Sequence, residues 1–348
     1  MNNTIIIFLS TTLISGTTLV ILSNHWFSIW IGLEISTLSL IPLININNSP
    51  RSNEATIKYF LVQAISAAIL LNGATLNLWI TNSWEINETY NSNISNSIII
   101  IAILIKLGIA PCHFWLPDVL SGLPFFNAII IACWQKIAPF FILTSMTNNI
   151  PNEIILLSSC LSVLIGGWGG LNQTSIRKIL AFSSISHMGW ITATSFFSPN
   201  ISLALFTFYI LNNTSIFLIC HNSNLYNLAN LNKTNIIPFS STLFSLSILS
   251  LGGLPPLGGF INKLIPLNLF IINNNLIIIP IFILGSLVNL FFYLRIVFNT
   301  SLIIFPKSSI NFILINTETS KNINVLISTI APLIFLGIFL IPIIDLIN

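Results

Sequence analysis

The sequence predicts an all-α polytopic membrane protein. About eleven transmembrane helices are expected: two inverted five-helix repeats with a broken helix in each, and a further C-terminal helix. Three observations predict this. Of the 348 residues, 54% are hydrophobic and only 5% are charged, whereas a soluble domain carries about 25% charged residues. Apolar stretches of about 20 residues, long enough to cross a bilayer, recur along the chain. The basic residues gather between alternate stretches, as membrane topology requires.

In order, the stretches run at roughly 5–23, 25–46, 57–80, 97–116, 124–147, 153–171, 176–196, 200–221, 238–270, 275–299 and 323–346. The first follows "MNNT", which lacks the basic region of a signal peptide and the arginines of a transit peptide. It is expected to be a retained span. The ninth is long and carries "LGGLPPLGGF" in its middle, which predicts a broken helix. One membrane domain, 1–348, is thus expected to divide into repeats at 1–147 and 153–299 plus the helix at 323–346.

Charge placement tests that count. Arg51, Lys58, Arg177, Lys178, Lys233, Arg295, Lys307 and Lys321 all fall on the side that holds the N-terminus, and Glu85, Glu88, Glu153 and Asp345 on the other. The positive-inside rule then places the N-terminus on the matrix or cytoplasmic side and the C-terminus on the opposite side. The net charge of +3, with no basic run, gives no expectation of a nucleic-acid partner. Cys112, Cys133, Cys160 and Cys220 form no CxxC pair, and His25, His113, His187 and His221 have no ligand spacing with them, so no metal site or disulfide framework is expected.

Three lysines remain inside predicted spans: Lys106, Lys136 and Lys263. Lys106 lies about nine residues from the nearer end of its span, roughly 13 Å at 1.5 Å per residue, which is beyond the reach of a snorkelling side chain. Lys136 is deeper. Lys263 is nearer an end but follows the Gly/Pro cluster. Glu34, in "WIGLEISTLSL", is the acid well inside a span. An ionised group at mid-bilayer costs about 2.5–3.5 kcal/mol on insertion scales, and such groups mark ion or proton paths. A lysine whose carboxylate partner can approach or withdraw is a proton-loading site of adjustable affinity. The alternative is a static buried pair of Lys106 with Glu34.

Helix breaks sit beside these charges. "LGIAP" (Leu107–Pro111) lies in the fourth stretch and "LGGLP" (Leu251–Pro255) in the ninth, each with Leu-Gly shortly before Pro. Those are the fourth helices of two five-helix units, and five is odd, so the units would be inverted. Inverted repeats with breaks at matching positions mark transport folds. A proline removes an amide donor and frees a carbonyl one turn back, which inside a membrane must find a polar partner. His113 follows the first break and His187 lies one helix face along from Ser183 and Ser184; each is a candidate for a proton path, with a packing role equally open for His187.

The segments "LIKLGIAPCHFWLPDV", "CWQKIAPFFIL", "QTSIRKILAFSSISHMGW" and "LSLGGLPPLGGFINK" together resemble the antiporter-like membrane subunits of respiratory complex I, the mitochondrial NADH:ubiquinone oxidoreductase. That group is related to Mrp-type sodium/proton antiporters. The resemblance covers about 30–300. It implies proton translocation coupled to NADH oxidation and ubiquinone reduction carried out in other subunits. It also implies that Glu34 pairs with Lys106, that Lys136 is the central lysine linking two half-channels, and that Lys263 is the charged residue of the second broken helix. No cofactor is expected on this chain; NAD, FMN, iron–sulfur clusters and ubiquinone are expected elsewhere in the complex. The expected partners are other membrane-arm subunits, neighbouring antiporter-like ones among them, and the lipid bilayer. The expected location is the mitochondrial inner membrane. Bacterial relatives carry three further N-terminal helices, and this chain is expected to start directly at the first repeat. Asp118 departs from the family pattern, where Glu is common. Two alternatives stay open: a free-standing cation/proton antiporter, and a non-conducting structural spacer of the membrane arm.

Overall fold

The computed structural model describes residues 3–46, 49–86, 93–146, 152–231 and 240–302. The stretch expected at 323–346, together with Glu88, Lys233, Lys307, Lys321 and Asp345, lies outside the described residues. The described chain is helical throughout: α1 (Asn3–Leu22), α2 (Trp26–Ile44), α3 (Pro50–Thr81), α4 (Asn93–Leu107), α5 (Trp115–Gly122), α6 (Phe125–Ala132), α7 (Ile137–Ser145), α8 (Asn152–Leu171), α9 (Ile176–Phe197), α10 (Pro199–Asn222), α11 (Ser240–Gly252), α12 (Ile261–Ile272) and α13 (Ile278–Leu302). Each of the ten described stretches overlaps one or two of these helices. The fourth holds α4 and only the first two residues of α5, which runs on past its expected end; the fifth holds α6 and α7, and the ninth α11 and α12.

Local chemistry sets several boundaries. α3 begins earlier than the hydropathy suggested, because Ser49 and Ser52 form a reciprocal capping box with Pro50 in the first turn. Arg51 therefore stands on a helix rather than in a loop. Pro199 likewise opens α10. Among the described residues, seven helical segments, one of them Phe125–Ser145 taken across α6 and α7, are long and apolar enough to cross a membrane by length and composition; α9 is not among them. Seventeen of its twenty-two residues are buried, so α9 is the central helix. Packed by protein on all sides, it has no need of a lipid-compatible surface, which is why Ser183, Ser184, Ser186, His187, Thr192, Thr194 and Ser195 can all be buried there. Close helix approach is made by glycine. A Cβ at Gly166 of α8 would lie 2.8 Å from both Ser186 Cβ and Ser186 N on α9, the small-residue contact that membrane helices favour.

Described helix connections meet in two places. At one end Trp26 N donates to Trp84 O (2.9 Å) and Ile86 N to Asn24 O (3.1 Å). At the other end Lys58 Nζ pairs with Glu54 (2.7 Å) and Asp118 (2.8 Å), and Ile176 N donates to Tyr226 O (3.1 Å). A polar cavity of about 450 Å³ at this second end is lined by Arg51, Lys58, Asp118, Arg177 and Lys178. The basic residues beside two separate connections, α2–α3 and α8–α9, thus share one surface.

Candidate functional site

The two breaks seen in the sequence use one backbone device. α4 ends at Leu107, and Gly108 takes φ +70°. Its N–H donates to Ile105 O (3.1 Å), and Ile109 N donates to Leu104 O (3.0 Å). α11 ends at Gly252, and Gly253 takes φ +72°. There Gly253 N donates to Ser250 O (3.0 Å) and Leu254 N to Leu249 O (3.5 Å). This paired pattern is the Schellman termination, which requires a left-handed residue and therefore favours glycine. The equivalent glycines are Gly108 and Gly253, one residue away from the register that pairs "LGIAP" with "LGGLP".

A helix that ends inside a bundle leaves carbonyls in need of donors. At the first break Trp115 Nε1, just beyond the gap, donates to Ile105 O (3.2 Å). At the second, Lys263 Nζ reaches back from α12 to Gly252 O (2.5 Å). Lys263 therefore caps the C-terminal end of α11, where the helix dipole presents negative charge to a cation.

The fifth stretch holds a third interruption. A 3-10 turn at Trp134–Lys136 separates α6 from α7, and Lys136 is its last residue. The sequence carries a signal for it in Pro139. A proline in the first turn of α7 loses no hydrogen bond, whereas one in the middle of a continuous helix would. Lys136 is 2% exposed. Its Nζ donates to Tyr209 OH (3.3 Å) and stands 5.4 Å from the Tyr209 ring centre.

Lys106 occupies the last turn of α4 and is 3% exposed. Its Nζ has no hydrogen-bond partner in the protein. Glu34, on α2, is half-buried, and its Oε2 accepts from Thr37 Oγ1 at 3.4 Å. Among the described residues the ion pairs are those of Lys58. Glu34 and Lys106 lie in electrostatic range but are not joined within 4.0 Å, so no static pair forms in this conformation.

His187, from α9, is buried. Its Nε2 meets Tyr293 OH at 3.3 Å, and its ring centre lies 5.9 Å from that of Tyr209. It is in electrostatic range of both Lys136 and Lys263. His113 is further out. Its Nδ1 bonds to Pro111 O (3.0 Å) and its ring packs on Phe114, in the loop after the first break. Tyr209 and Tyr293 were not among the sequence candidates, although both are buried, at 0% and 1% exposure. No group of three or more His, Cys, Asp or Glu residues able to hold a metal occurs among the described residues.

Buried Lys106 and Lys136 and half-buried Lys263 stand at helix interruptions, in a helical bundle that carries Arg51, Lys58, Arg177 and Lys178 at one end, the pattern expected of an antiporter-type membrane subunit. A family profile described as the transmembrane part of NADH:quinone oxidoreductase and Mrp antiporters matches residues 23–289, and a second, the NADH dehydrogenase subunit 2 C-terminus, matches 290–348. The NADH-ubiquinone oxidoreductase chain 2 of Paracentrotus lividus is 51% identical over 89% of this chain and 88% of its own length. That of Pisaster ochraceus is 44% identical over 98% of both. The chain belongs to the NADH-ubiquinone oxidoreductase chain 2 family. In fold it resembles a chain of respiratory complex I from Thermus thermophilus, with TM-score 0.83 and 24% identity over 95% of this chain and 77% of that one. A chain of the Mrp complex from Dietzia gives TM-score 0.74 and 19% identity over 83% and 59%.

Proposed function

We propose that the chain translocates protons along a buried axis of Lys106, Lys136 and Lys263, with Glu34 acting electrostatically on Lys106. As a member of its family it is a core membrane-arm subunit of complex I, the proton-translocating NADH:ubiquinone oxidoreductase. The observation that carries the proton path is the placement of all three membrane-embedded lysines at helix interruptions. Each interruption puts polar backbone next to an ammonium at a depth where charge is otherwise costly. Lys106, with no protein acceptor on Nζ, is the member free to exchange its proton with a mobile donor. His187 extends the axis between Lys136 and Lys263, and His113 lines its approach at the first break.

The chemistry that drives the step, NADH oxidation and ubiquinone reduction, belongs on this reading to other subunits, along with FMN and the iron–sulfur clusters. The proposed location is the mitochondrial inner membrane. The end carrying Arg51, Lys58, Arg177 and Lys178 would face the matrix, with the N-terminus on that side and the C-terminus in the intermembrane space. The matching breaks at Gly108 and Gly253 favour a division into inverted repeats at 1–147 and 153–299.

Replacing Lys106 by Met in assembled, reconstituted enzyme is expected to lower the protons pumped per electron pair. An unchanged ratio would refute the role. Sidedness is tested separately by Lys178→Cys. An impermeant maleimide should label it from the matrix face, and labelling from the other face would invert the assignment.

A further inference from the structure

No carboxylate is among the groups that act electrostatically on Lys136 or His187, and the three-lysine reading leaves the chemistry of the space between them open. Five buried polar groups fill it. Tyr209 from α10 takes the Lys136 hydrogen bond at 3.3 Å. Tyr293 from α13 meets His187 Nε2 at 3.3 Å. The two phenols lie in electrostatic range of each other, with Tyr209 facing Ser184 and Asn213 and Tyr293 facing Ser183. The serine hydroxyls are committed: Ser183 Oγ donates to Leu180 O and Ser184 Oγ to Ala181 O, at 2.8 and 2.7 Å. Their own protons are held by the α9 backbone, so the serines do not carry protons in the relay. Asn213 stands one helical turn from Tyr209 on α10 and is fully buried, yet neither its Nδ2 nor its Oδ1 has a partner. An amide that is buried and unpaired at both atoms costs about 1–3 kcal/mol per group, and such groups are ordinarily satisfied by an ordered water.

We propose that Tyr209 and Tyr293, with a water held by Asn213, form a hydroxyl relay that carries a proton between Lys136 and His187. This inference rests on the proton-path reading above and supplies its missing middle. The balance is simple. Lys136 gives one N–H proton to the Tyr209 oxygen as the Tyr209 O–H proton leaves to the water. The water gives one of its own protons onward to the Tyr293 oxygen, and the Tyr293 O–H proton passes to His187 Nε2. Lys136 ends one proton poorer and His187 one richer. Both phenols and the water end neutral, and rotation of their O–H bonds resets them. Phenol hydroxyls suit the task because each both donates and accepts. The rings fix the two oxygens against the ammonium and the imidazole. Reversal of every transfer gives the opposite direction, so the relay does not itself set the sense of pumping.

The test uses Tyr209→Phe, Tyr293→Phe and Asn213→Leu in assembled enzyme reconstituted in vesicles, with Lys136→Met as reference and Tyr226→Phe as control. Tyr226 lies at the basic end of the bundle, where it packs on Arg177. The expected result is that Tyr209→Phe lowers protons per electron pair to the level of Lys136→Met, with Asn213→Leu close behind and Tyr226→Phe at the wild-type ratio. In deuterated solvent, any residual pumping of the relay variants should show an altered isotope effect, which simple loosening of packing would not produce. A wild-type ratio in Tyr209→Phe and Tyr293→Phe, while Lys136→Met loses pumping, overturns the relay and leaves the lysine path standing. A wild-type ratio in Lys136→Met overturns both. If Tyr209→Phe fails to assemble, Tyr293→Phe decides by the same readout, since it removes one oxygen at the other end.

Discussion

Gly108 and Gly253 occupy equivalent positions at the two Schellman breaks, yet alanine should act differently at each. Any L-residue there incurs the left-handed penalty, about 1–2 kcal/mol. At Gly108 the new Cβ would stand 3.3 Å from Trp115 Cζ2, which a small ring movement relieves, so the backbone term is nearly the whole cost. At Gly253 the Cβ would stand 2.8 Å from Lys263 Cδ, 2.9 Å from Cε and 3.1 Å from Nζ. The lysine must move off, and its 2.5 Å bond to Gly252 O is lost. A hydrogen bond to a charged group contributes about 1.5–3 kcal/mol, which brings the expected cost at Gly253 to about 2.5–5 kcal/mol. Amide hydrogen exchange on the assembled complex reads this locally, through the N–H groups of Gly108 and Ile109 at one break and of residue 253 and Leu254 at the other. At 1.4 kcal/mol per tenfold, Gly108→Ala should lose roughly 5–30-fold of protection at its own break, and Gly253→Ala roughly two to three and a half orders of magnitude. Equal losses at the two breaks, or a larger one at Gly108, would refute the assignment of Lys263 as the cap of α11.

Two further outcomes follow from the same geometry. Trp115→Phe keeps an aromatic ring against Tyr59 but removes one of the two bonds that Ile105 O accepts, leaving the one from Gly108 N, and should cost about 0.5–1.5 kcal/mol, read as faster exchange confined to 104–116. Gly166→Val cannot be accommodated beside Ser186 without parting α8 from α9, and is expected to abolish incorporation of the subunit into the complex, measured by native electrophoresis.

Much of this was legible in the sequence because bilayers impose coarse rules. Span length, the gathering of basic residues and the cost of a buried charge each leave marks that survive without tertiary information, and they located the breaks at Pro111 and in "LGGLPPLGGF" as well as the three lysines. The equivalence of Gly108 with Gly253 was hidden because Gly252 and Gly253 are adjacent, and only the backbone angle tells which one turns the chain. The interruption at Lys136 was missed because it needs no glycine. Pro139 was its signal, read as part of an apolar run. Tyr209 and Tyr293 looked like ordinary core aromatics. Their hydroxyls matter through contacts between α10 and the turn before α7, and between α13 and α9, across separations of 73 and 106 residues, which no local pattern encodes. Nor could the spacing of Glu34 and Lys106, which stand on different helices, be read from the chain.

That spacing decides how Glu34 acts. Because the two groups are more than 4.0 Å apart, their attraction cannot reach the strength of a contact pair. At an effective dielectric of 20, two unit charges beyond that distance interact by less than about 4 kcal/mol. Such a coupling is large enough to shift proton occupancy at Lys106 and small enough to be overcome by a modest movement of α2. A permanent salt bridge would meet the first condition and fail the second. The prediction is therefore one of non-additivity. In reconstituted enzyme, Glu34→Gln should lower pumping in a wild-type background and change nothing further once Lys106 is Met, since the carboxylate then has no charge to act on. If Glu34→Gln lowers the proton ratio by the same factor in both backgrounds, Glu34 works on something other than Lys106, and the first half of the proposed axis must be redrawn around whatever group that is.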